Sequence, residues 1–202
     1  NRDGHTTTQS YKEGKTYSDI ERTGKTDKTG TKVVFFPDDS IFQETTYNFD
    51  IIDERLRELA YLNSGIRIQL IDEREKDKKT EHYYKGGLGQ FIRHLDEGRR
   101  PIFEQPIEIT GEKENIPVKV ALRYNDIYNE TILAFVNNIN TIEGGTHLSG
   151  FKTALTRSLN KYAQQNNLFK PIKGKTLSLS GDDAREGITA VLSIKIAEPQ
   201  FE

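Results

Sequence analysis

Cysteine is absent from this sequence of 202 residues. A disulfide framework and a thiolate metal site are therefore both excluded, and the absence fits a cytosolic protein. No apolar run approaches the length that spans a membrane, and no signal peptide opens the sequence. We therefore expect a protein of the cytoplasm without membrane attachment, whose length allows one large or two small domains.

Acidic residues are missing from one long stretch, although the chain as a whole is almost neutral. The net charge of −2 does not indicate general nucleic-acid binding. Between Glu143 and Asp182, however, there is no acidic residue, and six basic residues fall there: Lys152, Arg157, Lys161, Lys170, Lys173 and Lys175. This segment either attracts phosphate groups or forms a solvated face whose acidic partners lie on a neighbouring element. The charge pattern alone leaves both interpretations open.

Turn signals divide the N-terminal part of the chain. Asp3-Gly4 and Glu13-Gly14 are typical hairpin turns. They predict strands over residues 6–11 and 17–20, and a third strand is predicted over residues 32–36. Because no strand precedes the first turn and no initiator methionine is present, we expect a fragment that starts inside a sheet.

A helix and then a strand are predicted in the middle of the chain. Asp50 is a good N-cap, and Asp53 three residues later comes close to a capping box. Gly65 suits the chain reversal that ends this helix. Alternating apolar residues then predict a half-buried strand over residues 66–70. The charged segment 72–80 is predicted to be a loop.

A glycine pair, Gly86-Gly87, marks the candidate boundary between two domains, residues 1–85 and 86–202. Beyond the pair we expect a helix over residues 88–97. Further strands are predicted over residues 107–110, 118–124, 131–137, 176–179 and 189–196. Strands and two long helices without regular alternation favour α+β layers over a doubly wound sheet.

The string Glu143-Gly144-Gly145-Thr146-His147-Leu148-Ser149-Gly150-Phe151 opens a predicted amphipathic helix. Its two glycines free the backbone, and Thr146 is suited to cap the helix. The helix carries an apolar arc of five residues: Leu148, Phe151, Leu155, Leu159 and Tyr162. Histidine titrates near neutral pH, but His147 has no second histidine or cysteine at ligand spacing. A packed or capping role is therefore favoured for His147 over a catalytic one.

The string Ser180-Gly181-Asp182-Asp183-Ala184-Arg185-Glu186-Gly187 is the second distinctive feature. Paired carboxylates can act as acid and base or hold a metal. Here Arg185 lies beside them, and Asp182 or Asp183 can cap a short turn. We therefore favour an internal corner of hydrogen bonds and ion pairs over a catalytic site.

Together with Tyr124-Asn125-Asp126 and residues 135–141, these strings closely resemble the B subunits of bacterial type II topoisomerases, DNA gyrase and topoisomerase IV. The resemblance runs essentially end to end and favours gyrase, with topoisomerase IV as the alternative. It implies that residues 1–85 are the C-terminal part of a GHKL-type ATPase α/β sandwich. Residues 86–202 would be a transducer domain like domain 2 of ribosomal protein S5, incomplete at its C-terminus.

The same resemblance implies an ATP-dependent isomerase that, when intact, binds ATP and Mg²⁺. Thr29-Gly30-Thr31 matches the family's Gly-Thr box, which assigns Thr31 a hydrogen bond toward the adenine. The alternative is that Thr31 merely favours a strand. The family's catalytic glutamate, magnesium-binding asparagine and glycine-rich lid are expected before residue 1, and its γ-phosphate lysine after residue 202. No catalytic or metal-binding residue is assigned within the chain, which alone is predicted to hydrolyse no ATP.

The resemblance finally implies partners. In the family, two transducers enclose a cavity that a double-stranded DNA segment crosses, so Lys152, Arg157 and Lys161 are candidate DNA contacts, and Lys173 and Lys175 weaker candidates. The intact protein would dimerise at its ATPase gate and work with the gyrase A subunit, or the topoisomerase IV A subunit, in negative supercoiling or decatenation. A different hypothesis also remains, namely a non-catalytic module that binds phosphate backbones or partner proteins.

Overall fold

The computed structural model describes residues 1–169 and 177–200. The chain divides into two compact units, Asn1–Tyr47 and Asn48–Glu202. Three of the predicted basic residues, Lys170, Lys173 and Lys175, lie outside the described residues. No helix in the described part of the chain is both long enough and apolar enough to cross a membrane.

Two short antiparallel pairs make up the first unit. Strand β1 (His5–Thr8) pairs with β4 (Glu21–Lys25), and β2 (Tyr11–Lys12) pairs with β3 (Lys15–Thr16). The two predicted turns are confirmed, since both residues of each turn have positive φ angles. The predicted strand over residues 17–20 is wrong, because the chain pairs on either side of these residues instead.

The predicted strand over residues 32–36 is also wrong. These residues belong to no strand, and their apolar side chains are exposed, with Phe36 at 91%. A β-strand exists only when its backbone hydrogen-bonds to a neighbouring strand. Among the described residues no strand pairs with this segment, so its β-favouring composition is not sufficient.

The second unit opens with helix α1 (Phe49–Leu62) and the antiparallel hairpin of β5 (Arg67–Ile71) and β6 (Lys79–Tyr83). The predicted cap is wrong by two residues, because Asn48 Oδ1 accepts hydrogen bonds from the backbone N–H groups of residues 50 and 51. Asp50 lies in the first turn. The predicted strand at 66–70 is confirmed within one residue, but β6 occupies the end of the predicted loop.

Helix α2 (Gly87–Leu95) begins at the second glycine of the pair, with Gly86 as its N-cap, and confirms the predicted helix. Beyond it lie strands β7 (Ile107–Lys113), β8 (Ile116–Tyr124), β9 (Thr131–Val136) and β10 (Ile139–Asn140), helices α3 (Thr146–Gln165) and α4 (Gly181–Arg185), and strand β11 (Ile188–Ile194). They form one five-stranded sheet in the order β10-β9-β11-β8-β7. Strand β11 is parallel to β9 and antiparallel to β8, which fits the predicted α+β class.

No strand forms over residues 177–179 of the strand predicted at 176–179, and residue 176 lies outside the described residues. The reason is a competing contact. The backbone N–H of Leu179 donates to Asn160 Oδ1 at 2.8 Å, and the Leu179 carbonyl accepts from Asn160 Nδ2 at 3.0 Å. This amide in α3 therefore satisfies the groups that a strand partner would use.

Helices cover both faces of the sheet. On one face, Ala121, Phe135 and Val191 pack against apolar residues of α1 and α2. On the other, alternating residues of β11 and its neighbours pack against Leu148, Phe151 and Leu155 of α3. Side chains alternate between the faces along each strand, and every residue of the central strand β11 is consequently buried. The predicted apolar arc of α3 is wrong at its end, because Tyr162 is exposed and Ala163 is buried instead.

Candidate nucleic-acid interface

The start of α3 is fixed by its two glycines and a histidine. Gly145 takes the N-cap position with a φ of 137°, so the predicted cap residue Thr146 is instead the first residue of the helix. A Cβ atom at residue 145 would lie 2.8 Å from the His147 ring. Only glycine can therefore combine this backbone with the packed ring.

His147 is a packed histidine in this structure. Its Nε2 lies 2.9 Å from Thr141 Oγ1, which in turn donates to the backbone carbonyl of Ala134 in β9. Burial lowers the pKa of His147, so the ring is neutral at physiological pH. Within residues 1–169 and 177–200, no three His, Asp or Glu side chains form a cluster able to hold a metal ion. The contacts of His147 thus fix the start of α3.

The three candidate DNA contacts of α3 differ in their surroundings. Lys152 donates from Nζ to Glu130 Oε1 at 2.6 Å, so it has the acidic partner that the charge pattern left open. Arg157 and Lys161 are exposed and form no ion pair with any described residue. The two sit one helical turn apart on the same side of α3. The unneutralised positive charge of this helix is thus concentrated toward its C-terminal half.

The string from Ser180 to Gly187 forms the predicted corner of hydrogen bonds and ion pairs. Ser180 and Asp183 make a reciprocal capping box at the start of α4. Hydrogen bonds from the Ser180 side chain and backbone lower the pKa of Asp183. Arg185 donates to Asp182 Oδ1 at 2.8 Å and to Glu130 Oε2 at 2.6 Å. The paired carboxylates are thus occupied by internal contacts.

Glu130 is the residue that the sequence analysis missed. It precedes β9 and receives hydrogen bonds from both Lys152 of α3 and Arg185 of α4. Burial would raise the pKa of Glu130, but these two bonds lower it below its ordinary value. The carboxylate is therefore ionised at neutral pH and links the two helices. No local signal identifies it, because its partners lie 22 and 55 positions away.

A pocket of about 380 Å³ lies between α3 and α4. Gly181 and six polar or basic residues line it, namely Lys152, Thr153, Thr156, Arg157, Asn160 and Arg185. Two of the candidate DNA contacts, Lys152 and Arg157, therefore share this concave surface, whereas Lys161 is not part of its lining. A basic pocket of this kind can receive a phosphate group without reading a base.

Thr31 lies in the first unit, in an exposed segment just after Gly30. Gly30 lies beside residue 1, because its N–H donates to the Asn1 carbonyl at 3.1 Å. The Thr31 hydroxyl forms no hydrogen bond with a described residue and is available to a ligand or to water.

A family model described as DNA gyrase B matches residues 87–202, which is more than half of the chain. The chain belongs to the DNA gyrase B family. It is 50% identical to the DNA gyrase B subunit of Clostridium acetobutylicum over 99% of this chain and 31% of that protein. The corresponding protein of Halalkalibacterium halodurans is 49% identical over 100% of this chain and 31% of its own length. The chain thus spans about a third of the length of these two relatives.

Solved structures agree with this assignment. The crystal structure of the 43K ATPase domain of Thermus thermophilus gyrase B in complex with an aminocoumarin matches with a TM-score of 0.81 and 37% identity. The match covers 100% of this chain and 54% of that domain. The topoisomerase IV ATP-binding domain of Francisella tularensis shares the fold with a TM-score of 0.73 at 23% identity, over 100% of this chain and 54% of that one. The predicted family and fold class are confirmed.

Proposed function

We propose that this chain is the part of a DNA gyrase B protein that couples ATP binding and hydrolysis to DNA strand passage and negative supercoiling. The proposal rests on membership of the gyrase B family and on the likeness to a gyrase ATPase domain. The intact protein would bind ATP and Mg²⁺, dimerise, and act with the gyrase A subunit on double-stranded DNA in the bacterial cytoplasm. Residues 1–85 would complete the nucleotide-binding domain, and residues 86–202 would belong to the transducer.

The nucleotide contact within this chain is assigned to Thr31. Its hydroxyl is exposed and unbonded among the described residues, which suits a hydrogen bond toward adenine directly or through water. ATP, when bound, supplies the γ-phosphate whose loss allows the two domains to separate. We expect Thr31→Val in the intact protein to raise KM for ATP with little change in kcat, because the lost bond is to the base and not to the reacting phosphate. An unchanged KM would remove Thr31 from the site.

The DNA contact is assigned to the exposed side of α3. This assignment is supported by two exposed cations without acidic partners among the described residues, Arg157 and Lys161, which lie on one side of α3. The helix itself is packed against the sheet. Lys152 belongs to the same surface, although Glu130 neutralises it in this structure. Contacts from these side chains would go to phosphates and would carry no sequence preference.

The test is a double substitution, Arg157→Gln with Lys161→Gln, in the intact protein combined with the gyrase A subunit. Each lost phosphate contact should reduce the slope of log affinity against log salt by about 0.9, so the slope of the double variant should be smaller by roughly 1.8. The double variant should also supercoil DNA more slowly. The matched control is Lys113→Gln with Lys119→Gln, which removes two exposed lysines from β7 and β8. Unchanged DNA affinity together with unchanged supercoiling would refute the assigned DNA interface.

A further inference from the structure

We propose that the pocket between α3 and α4 seats one phosphate of the DNA backbone, and that Glu130 is the displaceable counter-ion that sets the affinity of this seat. The inference rests on the proposed function, because it takes the DNA as the source of the phosphate. It adds a residue that is not itself positively charged to the DNA interface. It also assigns Lys152 and Arg185 to phosphate binding, with an affinity that depends on whether Glu130 is paired with them.

The neutral side chains of the pocket have no donor left for a ligand. The Thr153 hydroxyl donates to the backbone carbonyl of Ser149 at 2.8 Å, and the Thr156 hydroxyl donates to that of Lys152 at 3.0 Å. A hydroxyl has one hydrogen to donate. The Asn160 amide donates to the carbonyls of Thr156 and Leu179 at 3.1 and 3.0 Å. Among the side chains of the pocket, only the charged ones can therefore donate to a bound anion.

Three cations line the pocket, and two carboxylates offset them. Lys152, Arg157 and Arg185 carry the positive charges. Glu130 binds both Lys152 and Arg185, and Asp182 binds Arg185. Three positive and two negative charges leave the group with a net charge of +1. That charge resides on Arg157, which has no acidic partner among the described residues.

The cations keep donors for a second anion while Glu130 is bound. An ammonium group has three donors, and Lys152 uses one of them on Glu130. Arg185 uses Nε and Nη2 on Glu130 and Asp182, and its Nη1 hydrogen-bonds to no described residue. A Cβ atom at residue 181 would lie 2.8 Å from this Nη1. The glycine thus leaves room for the guanidinium along the pocket wall.

A phosphate in the pocket would compete with Glu130 for the charge of the same two cations, although donors remain for both anions. The Glu130 side chain is 37% exposed, so solvent and ions can reach it. A phosphate that enters the pocket attracts the same two cations, and charge-assisted bonds to either anion are of comparable strength. Glu130 therefore lowers the affinity of the pocket for a phosphate. After the DNA leaves, Glu130 again forms its ion pairs with Lys152 and Arg185. Such moderated binding suits a surface that a DNA segment crosses and then vacates.

The experiment compares Glu130→Gln, Lys152→Gln and the double variant in the intact protein assembled with the gyrase A subunit. A fluorescent duplex of mixed sequence is titrated over a salt series, and melting curves monitor folding. Glu130→Gln should bind the duplex more tightly at low salt and steepen the log–log slope by about 0.9 for each phosphate gained. Lys152→Gln should change little alone, because Glu130 already neutralises it, but should remove most of the gain in the double variant.

Two further variants separate charge from packing. Glu130→Asp keeps the charge and should retain the wild-type slope. A gain in DNA affinity in this variant would indicate that altered packing between α3 and α4 is the cause, and it would overturn the inference. Asp182→Asn removes one of the two acidic partners of Arg185 and leaves Lys152 paired, so it should raise the affinity less than Glu130→Gln. An unchanged slope of log affinity against log salt in Glu130→Gln overturns the inference. The proposed function still stands in that case if Arg157→Gln with Lys161→Gln weakens DNA binding. If neither Glu130→Gln nor Arg157→Gln with Lys161→Gln changes DNA binding, the DNA interface as a whole is refuted.

Discussion

Asp96 offers the most demanding test of how this fold is held together. Its side chain has no exposed surface and lies just after α2. It accepts a long hydrogen bond of 3.4 Å from Arg99 Nη1. It also accepts hydrogen bonds from Arg123 Nε at 2.8 Å, from Asn125 Nδ2 at 3.1 Å and from the Thr189 hydroxyl. These last three partners lie in or just after β8 and in β11. We predict that Asp96→Asn strongly destabilises the protein, because it removes the charge that balances a buried guanidinium.

The size of the effect follows from the burial of the partner. The Arg123 side chain is 7% exposed, and its remaining described contact is a 3.3 Å bond to the Glu104 carbonyl. Removing one member of a buried ion pair costs about 3–5 kcal/mol of unfolding free energy. Asparagine keeps one acceptor oxygen, so we expect a loss of about 3 kcal/mol. For a chain of this length that loss lowers Tm by roughly 6–12 °C.

Thermal unfolding of the 202-residue chain, followed by circular dichroism at neutral pH, measures this loss. The matched control is Asp182→Asn, whose carboxylate pairs with Arg185 but is 97% exposed, and which should cost less than about 1 kcal/mol. If the uncompensated charge is the cause, Arg123→Met should cost much less in the Asp96→Asn background than in the wild type. Equal costs in the two backgrounds, or a Tm for Asp96→Asn within the control's range, would refute the reasoning.

The same unfolding assay tests three other substitutions. Gly187→Ala should cost at least about 2 kcal/mol, because φ is +72° and its Cβ would lie 2.6 Å from the Asn125 carbonyl oxygen. Gly150→Ala should add about 0.5–1 kcal/mol to the free energy of unfolding, because alanine favours the helix over glycine and its Cβ would have no atom within 4 Å. A loss of stability would contradict this. Burial would raise the pKa of Asp53, but its hydrogen bonds, that from Thr80 foremost, lower it below 3.8. The stability lost in Asp53→Asn should therefore be largest above about pH 4 and vanish as the pH falls through the lowered pKa; a pH-independent difference would exclude this linkage.

Elements with strong local signals could be predicted from the sequence. The two glycine turns of the first unit and the strand at β8 were found because each signal lies within a few residues. The strand over residues 32–36 was wrong because strand formation depends on a partner, and composition does not reveal one. The strand predicted at 176–179 failed over its described residues for a related reason, since Asn160 occupies its backbone groups.

The candidate site could be predicted in part. The corner around Asp183 and Arg185 was found because its capping box spans four consecutive positions. The partner of Lys152 could not be found, because Glu130 approaches it only through the packing of α3 on the sheet. Asp53 shows the same limit. It was interpreted as part of a cap, but it is buried and bonded to His82 at 2.8 Å, which lies 29 residues away.

The attachment of α3 to the sheet determines how a motion elsewhere in the second unit could reach the proposed DNA-contact residues. Strands β9 and β11 pair in parallel, and α3 and α4 lie between them in the sequence and pack together beside the sheet. On the opposite face, Asp96 joins the end of α2 to β8 and β11 through buried charge-assisted bonds. Because packed cores resist continuous deformation, a displacement of α2 should move the sheet and α3 as one body. The cations of α3 would then move together with the sheet, and Glu130, which directly precedes β9, would stay close to Lys152.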